Sequence, residues 1–315
     1  MRGRLLGKVS AVAVAMAALS LDPAPLVVAQ TGEGAKVTTI GGCPTEHPVA
    51  FYKCALQKAT TFEPPRTPEG KPDLQGYWQG SPTTDAVDYS LEGVLPSDPE
   101  TKRPIMTWEP GPPLIVDPPD GKIPYQPWAA EIGRKKLNFT KYIDPRTACT
   151  SGGVSRVMQY DLQILQHKDY IAVLVEDHHA YRVIATNGQP HLGSGIKTFH
   201  GDAIGRWEGK TLVVDVTNLN GHNWLDDSGN FYTDAAHLVE RLTPIDADTI
   251  LYEITFEDPK AYTRAWQMAW PLVREKEPGF QFLEEACWEG ERDVPRFLKA
   301  GYRFYFGEPW RGLVK

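Results

Sequence analysis

The chain has 315 residues, with 33 lysines and arginines against 40 aspartates and glutamates and a formal net charge of −7. That balance, with no run of basic residues, argues against a nucleic-acid partner. A content of 41% hydrophobic and 10% aromatic residues excludes wholesale disorder and fits a globular protein.

Arg2, Arg4 and Lys8 precede the apolar run "VSAVAVAMAALSL", and "VVA" ends just before Gln30. This pattern predicts a secretory signal peptide over residues 1–29, cut after Ala29, with a single membrane anchor as the alternative. The mature chain is then expected in the periplasm or secreted, free of the membrane. Losing three basic residues and Asp22 takes its formal charge to about −9. Four cysteines in an exported chain suggest two disulfides. Cys43–Cys54 would close a short local loop, and Cys149–Cys287 would tie the middle of the chain to its end. Other pairings remain open, whereas a cysteine metal site lacks any C-x-x-C spacing.

Residues 60–127 hold 15 of the 27 prolines. Proline fixes φ and lacks a ladder donor, so this stretch is not expected in central sheet. Trp78, Trp108, Ile115 and Trp128 need burial, so residues 30–155 are read as a wrapping segment rather than a loose tail. Within it "QPWAAEIGRKKL" predicts one helix, with Pro127 in the first turn. Beyond residue 155, short alternating runs predict strands near 161–166, 170–176, 179–186, 203–207, 211–217, 236–243, 249–257, 262–270 and 280–288. "TNGQ", "WEGKT" and "PIDADT" supply turn signals. Strands at this spacing without intervening helices predict a mainly β domain over 156–315, an antiparallel meander forming a lipocalin-like barrel or a sandwich. The one long loop, 218–234, is a candidate for function.

"PRTPEGKPDLQGYW", "IGRWEGKTLVVDVTN", "HLVERLTPIDADTILYEITFEDPKAYTRAW" and "EEACWEG" together resemble a family of exported bacterial proteins with a proline-rich GKPDLxGxW opening and a β-rich second half. The likeness covers most of the mature chain. It implies export and a β-rich fold, and brings no catalytic residues with it. Two departures stand out. Gly201-Asp202-Ala203 replaces a frequent "GHS", and "CTSGGVSR" (149–156) replaces a frequent "CxPPGxPR".

Strand parity places Leu212, Val214, Val216, Leu238, Leu242, Ile250, Tyr252, Ile254, Phe256, Tyr262, Trp266, Met268 and Trp270 on one face. Glu240 and Arg264 fall on that face too. A carboxylate among apolar side chains needs a partner or a purpose. Either the two form a buried pair, or Glu240 transfers protons in an aromatic cavity lined by Tyr252, Trp266 and Trp270 while Arg264 stabilises negative charge. "VEDHHAYR" (175–182) is the densest polar cluster. There His178 and His179 point to opposite faces, and one of them beside Glu176 or Asp177 would make an acid or base. His179 and Asp177 are therefore candidate catalytic groups and Arg182 a candidate anion ligand, with a solvated hairpin turn as the alternative.

Other patterns carry less. His200-Gly-Asp202 with His222 or His237 mimics an H-x-D…H facial triad, although His167-Lys-Asp169 shows that such spacings recur. Ser194 in "HLGSGI" lacks the G-x-S-x-G elbow. Asp215 lies on the polar parity of its strand, and Asp226-Asp227 form a fragment of a calcium-loop pattern. No Walker loop or dinucleotide fingerprint occurs, so no cofactor is expected, a divalent metal being the alternative. These residues point to an exported acid–base enzyme (lyase, isomerase or hydrolase) acting on a hydrophobic or aromatic small molecule in a barrel cavity. A non-catalytic periplasmic binding protein for such a ligand is the alternative, and a structural module the third.

Overall fold

Nine strands close into a mixed barrel in the computed structural model, which describes residues 39–80, 114–136, 142–226, 229–283, 285, 287, 293–301 and 303–304. The two-residue strands β1 (Thr39–Ile40) and β2 (Cys43–Pro44) lead into helix α1 (Pro48–Thr61), followed by β3 (Gly76–Gln79), β4 (Ile115–Asp117), α2 (Pro127–Lys136) and β5 (Tyr142–Ile143). A short helix α3 (Gly153–Val157) opens the main run: β6 (Asp161–Gln166), β7 (Tyr170–Val175), β8 (Tyr181–Ala185), β9 (Asp202–Glu208), β10 (Thr211–Thr217), β11 (His237–Asp246), β12 (Thr249–Glu257) and β13 (Trp266–Arg274). Helix α4 (Asp293–Lys299) and β14 (Arg303–Phe304) follow, the latter parallel to β5.

The strand order runs β3, β6, β7, β8, β9, β10, β11, β12, β13 and back to β3. Neighbours are antiparallel except β8 and β9, where Ile184 faces Ala203 in parallel register. "TNGQ" therefore opens a crossover and not a hairpin. "WEGKT" and "PIDADT" do close hairpins, between β9 and β10 and between β11 and β12. β4 extends the outer edge of β13 at Gln267 and Met268, while β3 takes the same edge at Val273 and Arg274.

Period-two alternation explains the interior. Leu212, Val214, Val216, Leu238, Leu242, Ile250, Tyr252, Ile254, Phe256, Met268 and Trp270 all belong to one buried cluster. β12 is buried on its other face as well, because α1 lays Phe51, Ala55 and Ala59 over Ile245, Leu251 and Ala269. The Cys43–Cys54 disulfide ties the start of that layer, and Cys149–Cys287 bridges 138 residues, both as the sequence suggested. Two disulfides mark an oxidising environment. Among the described residues, no helix is long and apolar enough to cross a membrane.

Four expectations need correction. The proline-rich segment does not only wrap the barrel, because its proline-free "GYWQ" is the stave β3, which buries Trp78. Trp128 is exposed and holds Lys260 O through its indole N–H at 2.9 Å. Trp108 lies outside the described residues. The strand expected at 262–270 begins only at Trp266, since Ala261 and Tyr262 turn back to hydrogen-bond Asp258 O. The strand expected at 280–288 is absent among the described residues. Its alternating Phe280 and Phe282 both pack edge-on against Tyr77 instead.

Candidate functional site

Antiparallel register brings the site's connections to one end of the barrel. The β7–β8 turn, the approach to β9, the β10–β11 loop and the β12–β13 turn all lie there. Most described residues of the β10–β11 loop are buried, Trp224, Leu225, Phe231 and Tyr232 among them. Asp226 braces that loop, accepting the Asn230 backbone N–H at 3.1 Å and side-chain amide at 2.6 Å, so it is not an open calcium ligand. Asp227 lies outside the described residues.

Beneath this end sits Glu240, which shares its side of β11 with Leu238 and Leu242 and is 1% exposed. Its partner is Arg182, three strands away on β8 and 3% exposed. Arg182 Nη1 donates to Glu240 Oε2 at 2.8 Å, and Nη2 donates to Oε1. Tyr252 completes the set, donating its hydroxyl to Oε2 at 2.7 Å. Both carboxylate oxygens are thus taken. Burial, then the Glu240 charge, push the Tyr252 hydroxyl well above the usual tyrosine range. Arg264 is not part of this set. It lies outside β13, about half exposed, and pairs with Asp117 at 2.7 Å. The residues before Trp266 form a turn, so the strand alternation does not reach Arg264.

The aromatic side chains expected to line a cavity pack on one another. Phe256 stacks on Trp266 at 4.3 Å, and Tyr252 meets Trp270 at 4.5 Å. The Trp270 indole N–H is held by Met158 O at 3.1 Å.

A different pair meets above them. The Ser151 hydroxyl contacts His200 Nε2, while His200 Nδ1 lies 3.2 Å from Tyr181 O. A carbonyl only accepts, so Nδ1 carries the proton and Nε2 is left as the acceptor facing the hydroxyl. Burial and the nearby Arg182 charge outweigh the Tyr181 bond and push the imidazole down to about 4, so it is neutral at neutral pH. Both partners rest on fixed backbone. Asn223 Nδ2 donates to Ser151 O at 2.7 Å, and Tyr232 donates to Asn223 Oδ1 at 3.3 Å. Gly153 has φ +80°, and a Cβ there would stand 2.7 Å from Asn223 Cγ. Gly201, beside His200, has φ +66°, and its Cβ would reach 2.3 Å from Thr217 O. Both positions require glycine.

His178, His191 and His237 are engaged elsewhere. His200, Asp202, His222 and His237 do not converge as metal ligands. Asp202 accepts from His191 Nδ1 at 2.8 Å, and His191 Nε2 lies 2.9 Å from Asp215. Asp215 also meets His237 Nε2 at 3.0 Å, and His237 Nδ1 lies 3.2 Å from Glu257. Asp215 is therefore the centre of an outer-face network, not an isolated surface carboxylate. Ser194 is exposed on the loop before β9. Asp177 pairs with Arg146 and with His178 at 3.0 Å, on a turn where His178 adopts φ 54°. The His179 side chain lies outside the described set. One histidine–acid–cysteine cluster with metal-like spacing occurs among the described residues: His178, Glu285 and Cys287. Cys287 is disulfide-bonded and cannot ligate.

The chemistry assembled here is a hydroxyl, a neutral imidazole oriented by a carbonyl, and a buried guanidinium whose charge reaches that imidazole. Comparison of the chain with protein-family models, curated proteins and solved structures finds no match.

Proposed function

We propose that the chain is an exported hydrolase for small hydrophobic or aromatic esters, working at the mouth of the barrel with Ser151 as nucleophile and His200 as base. The observation that carries this reading is the Ser151–His200 contact with the imidazole tautomer set by Tyr181 O. A base hydrogen-bonded to a hydroxyl and oriented by a third group is the general arrangement of an activated nucleophile. Here Ser151 Oγ attacks the acyl carbon as its proton passes to His200 Nε2. The carbon–oxygen bond to the leaving group then breaks, and His200 returns the proton to that oxygen. Water attacks the acyl-serine by the same route and restores both residues. Arg182 acts electrostatically, opposing build-up of positive charge on His200 and favouring the negative charge of the intermediate.

An imidazole titrating near 4 is a weak base, which directs the reaction to esters with good leaving groups such as phenols. The apolar preference rests on Tyr181, 68% exposed, whose carbonyl holds the base, and on exposed Ile196 in the same loop as His200. Glu240 is then a partner that fixes Arg182 rather than the proton-transfer group. The periplasm is the proposed compartment, consistent with the two disulfides.

The test is hydrolysis of 4-nitrophenyl esters with mass-spectrometric mapping of a sulfonyl fluoride label. Ser151→Ala should abolish turnover and labelling, and His200→Ala should cost ~10²–10⁴-fold. The acid limb of kcat/KM should fall near the His200 value of about 4. Full turnover by Ser151→Ala, or labelling of another residue, would overturn the assignment.

A further inference from the structure

The connection between β8 and β9 has almost no apolar burial to hold it. From Asn187 to Thr198 every residue is exposed except His191, so local opening there is opposed by polar ties alone. His191 Nδ1 faces Asp202 Oδ2 at 2.8 Å, and its Nε2 faces Asp215 Oδ1 at 2.9 Å. The Leu192 N–H donates to the same Asp202 oxygen at 2.7 Å, and Asn218 Nδ2 donates to Leu192 O and Gly193 O at 3.1 Å. Further along, Lys197 pairs with Asp234 at 2.9 Å, and the Thr198 N–H donates to Asn218 O at 3.0 Å. His191 is thus the one side chain of residues 187–196 that is drawn in against the sheet.

The ties continue across the barrel wall. His237 Nε2 faces Asp215 Oδ2 at 3.0 Å, and its Nδ1 faces Glu257 Oε2 at 3.2 Å. Carboxylates of β9, β10 and β12 therefore alternate with two imidazoles. Among the described residues no lysine or arginine pairs with Asp202, Asp215 or Glu257. A carboxylate oxygen only accepts, so all four ring nitrogens must donate, and only the imidazolium form has two donors. A neutral His191 would turn a lone pair onto Asp202 or Asp215. Burial opposes the charges of His237 and Asp215, yet their hydrogen bonds outweigh it. The His237 imidazole is held above its ordinary value and the Asp215 carboxyl below its own.

We propose that residues 187–196 form a flap, latched on β9 and β10 by the charged form of His191 and released when rising pH removes that proton. The base stays in place on release, because Tyr181 O still holds His200 and Asn218 O still holds the Thr198 N–H. The latch is independent of ester hydrolysis. Its effect on substrates rests on the hydrolase reading, where release carries the exposed apolar side chains Leu192 and Ile196 away from the ester.

Two measurements on the full chain, made at the same pH values from about 5 to 9, either side of an ordinary imidazole, test the latch. Histidine ring NMR follows the protonation of His191, and hydrogen-exchange mass spectrometry follows residues 187–196. Protection there, corrected for the intrinsic pH dependence of exchange, should fall at least roughly fivefold as His191 titrates, the weight of part-exposed charged bonds. The amides of β12 should stay protected throughout. His191→Gln should leave the flap weakly protected at every pH. In Asp215→Asn a side-chain amide can donate to the neutral imidazole, so the flap should remain protected on the alkaline side. Protected β12 amides in both variants show that they are folded. No arm reads turnover, so failure of the hydrolase reading would leave this result standing. Constant protection across the wild-type titration, a pH dependence that survives in His191→Gln, or alkaline loss in Asp215→Asn would each overturn the proposal.

Discussion

Removing the Glu240 carboxylate should cost far more than a surface charge would. Glu240 and Arg182 are almost wholly buried, and the carboxylate serves three donors: both Arg182 terminal nitrogens and the Tyr252 hydroxyl. Glu240→Ala strands a guanidinium and a phenol in an apolar interior, a loss of about 3–5 kcal/mol. At about 2–4 °C per kcal/mol for a domain of this size, the melting temperature should drop by roughly 6–20 °C. Tyr252→Phe removes only one bond to a charged acceptor and should cost about 1.5–3 kcal/mol. The double variant Arg182→Met/Glu240→Leu removes both desolvation penalties and should recover most of the single variant's loss. Urea and thermal unfolding of the four proteins decide the matter. The reasoning fails if Glu240→Ala unfolds within about 1 kcal/mol of wild type, or if the double variant is no better than the single. A second readout concerns His200. Without the Arg182 charge its imidazole should titrate higher, and the acid limb of ester hydrolysis should move up in pH.

Cys149→Ser/Cys287→Ser opens a 138-residue loop and should cost about 2–5 kcal/mol in urea unfolding; an unchanged midpoint would mean the bridge constrains little. For His237, burial opposes protonation but is outweighed by hydrogen bonds to Asp215 and Glu257, so the folded imidazole titrates above its ordinary value. Its contribution is then complete below about pH 6.5 and fades as pH rises through the folded value. The melting-temperature gap between wild type and His237→Gln should shrink on the alkaline side, and a gap that grows there would reverse the sign.

Much of the fold was visible as period-two alternation. β6, β10 and β12 have the bounds that their apolar spacing implies, because each buries one side chain in two against the same interior. The failures have local causes. β3 is four residues inside a proline-rich stretch, too short for a period to show. The parallel step from β8 to β9 depends on where a loop of fifteen or so residues leads the chain, not on either strand's own pattern. Helix α1 starts at Pro48 inside the Cys43–Cys54 interval, where the cysteine spacing reads as a loop and a first-turn proline is the start signal.

The site was less visible because its chemistry sits where periodicity stops. Glu240 could be placed inside because Leu238 and Leu242 flank it on a regular strand. Arg182 could not, since "YRVIA" turns Tyr181 and Val183 outward and the arginine inward, against the hydrophobic expectation for a half-buried strand. Ser151 and His200 belong to connecting segments, and their meeting depends on two chain reversals. Each reversal, however, has a readable cause: Gly153 and Gly201 both take positive φ, and at both a side chain would strike a fixed neighbour. Glycine is the residue that permits such close approach. A hydroxyl two residues before one such glycine and an imidazole directly before another form a pattern that strand parity cannot detect. That pattern identifies backbone positions rigid enough to hold a nucleophile against its base.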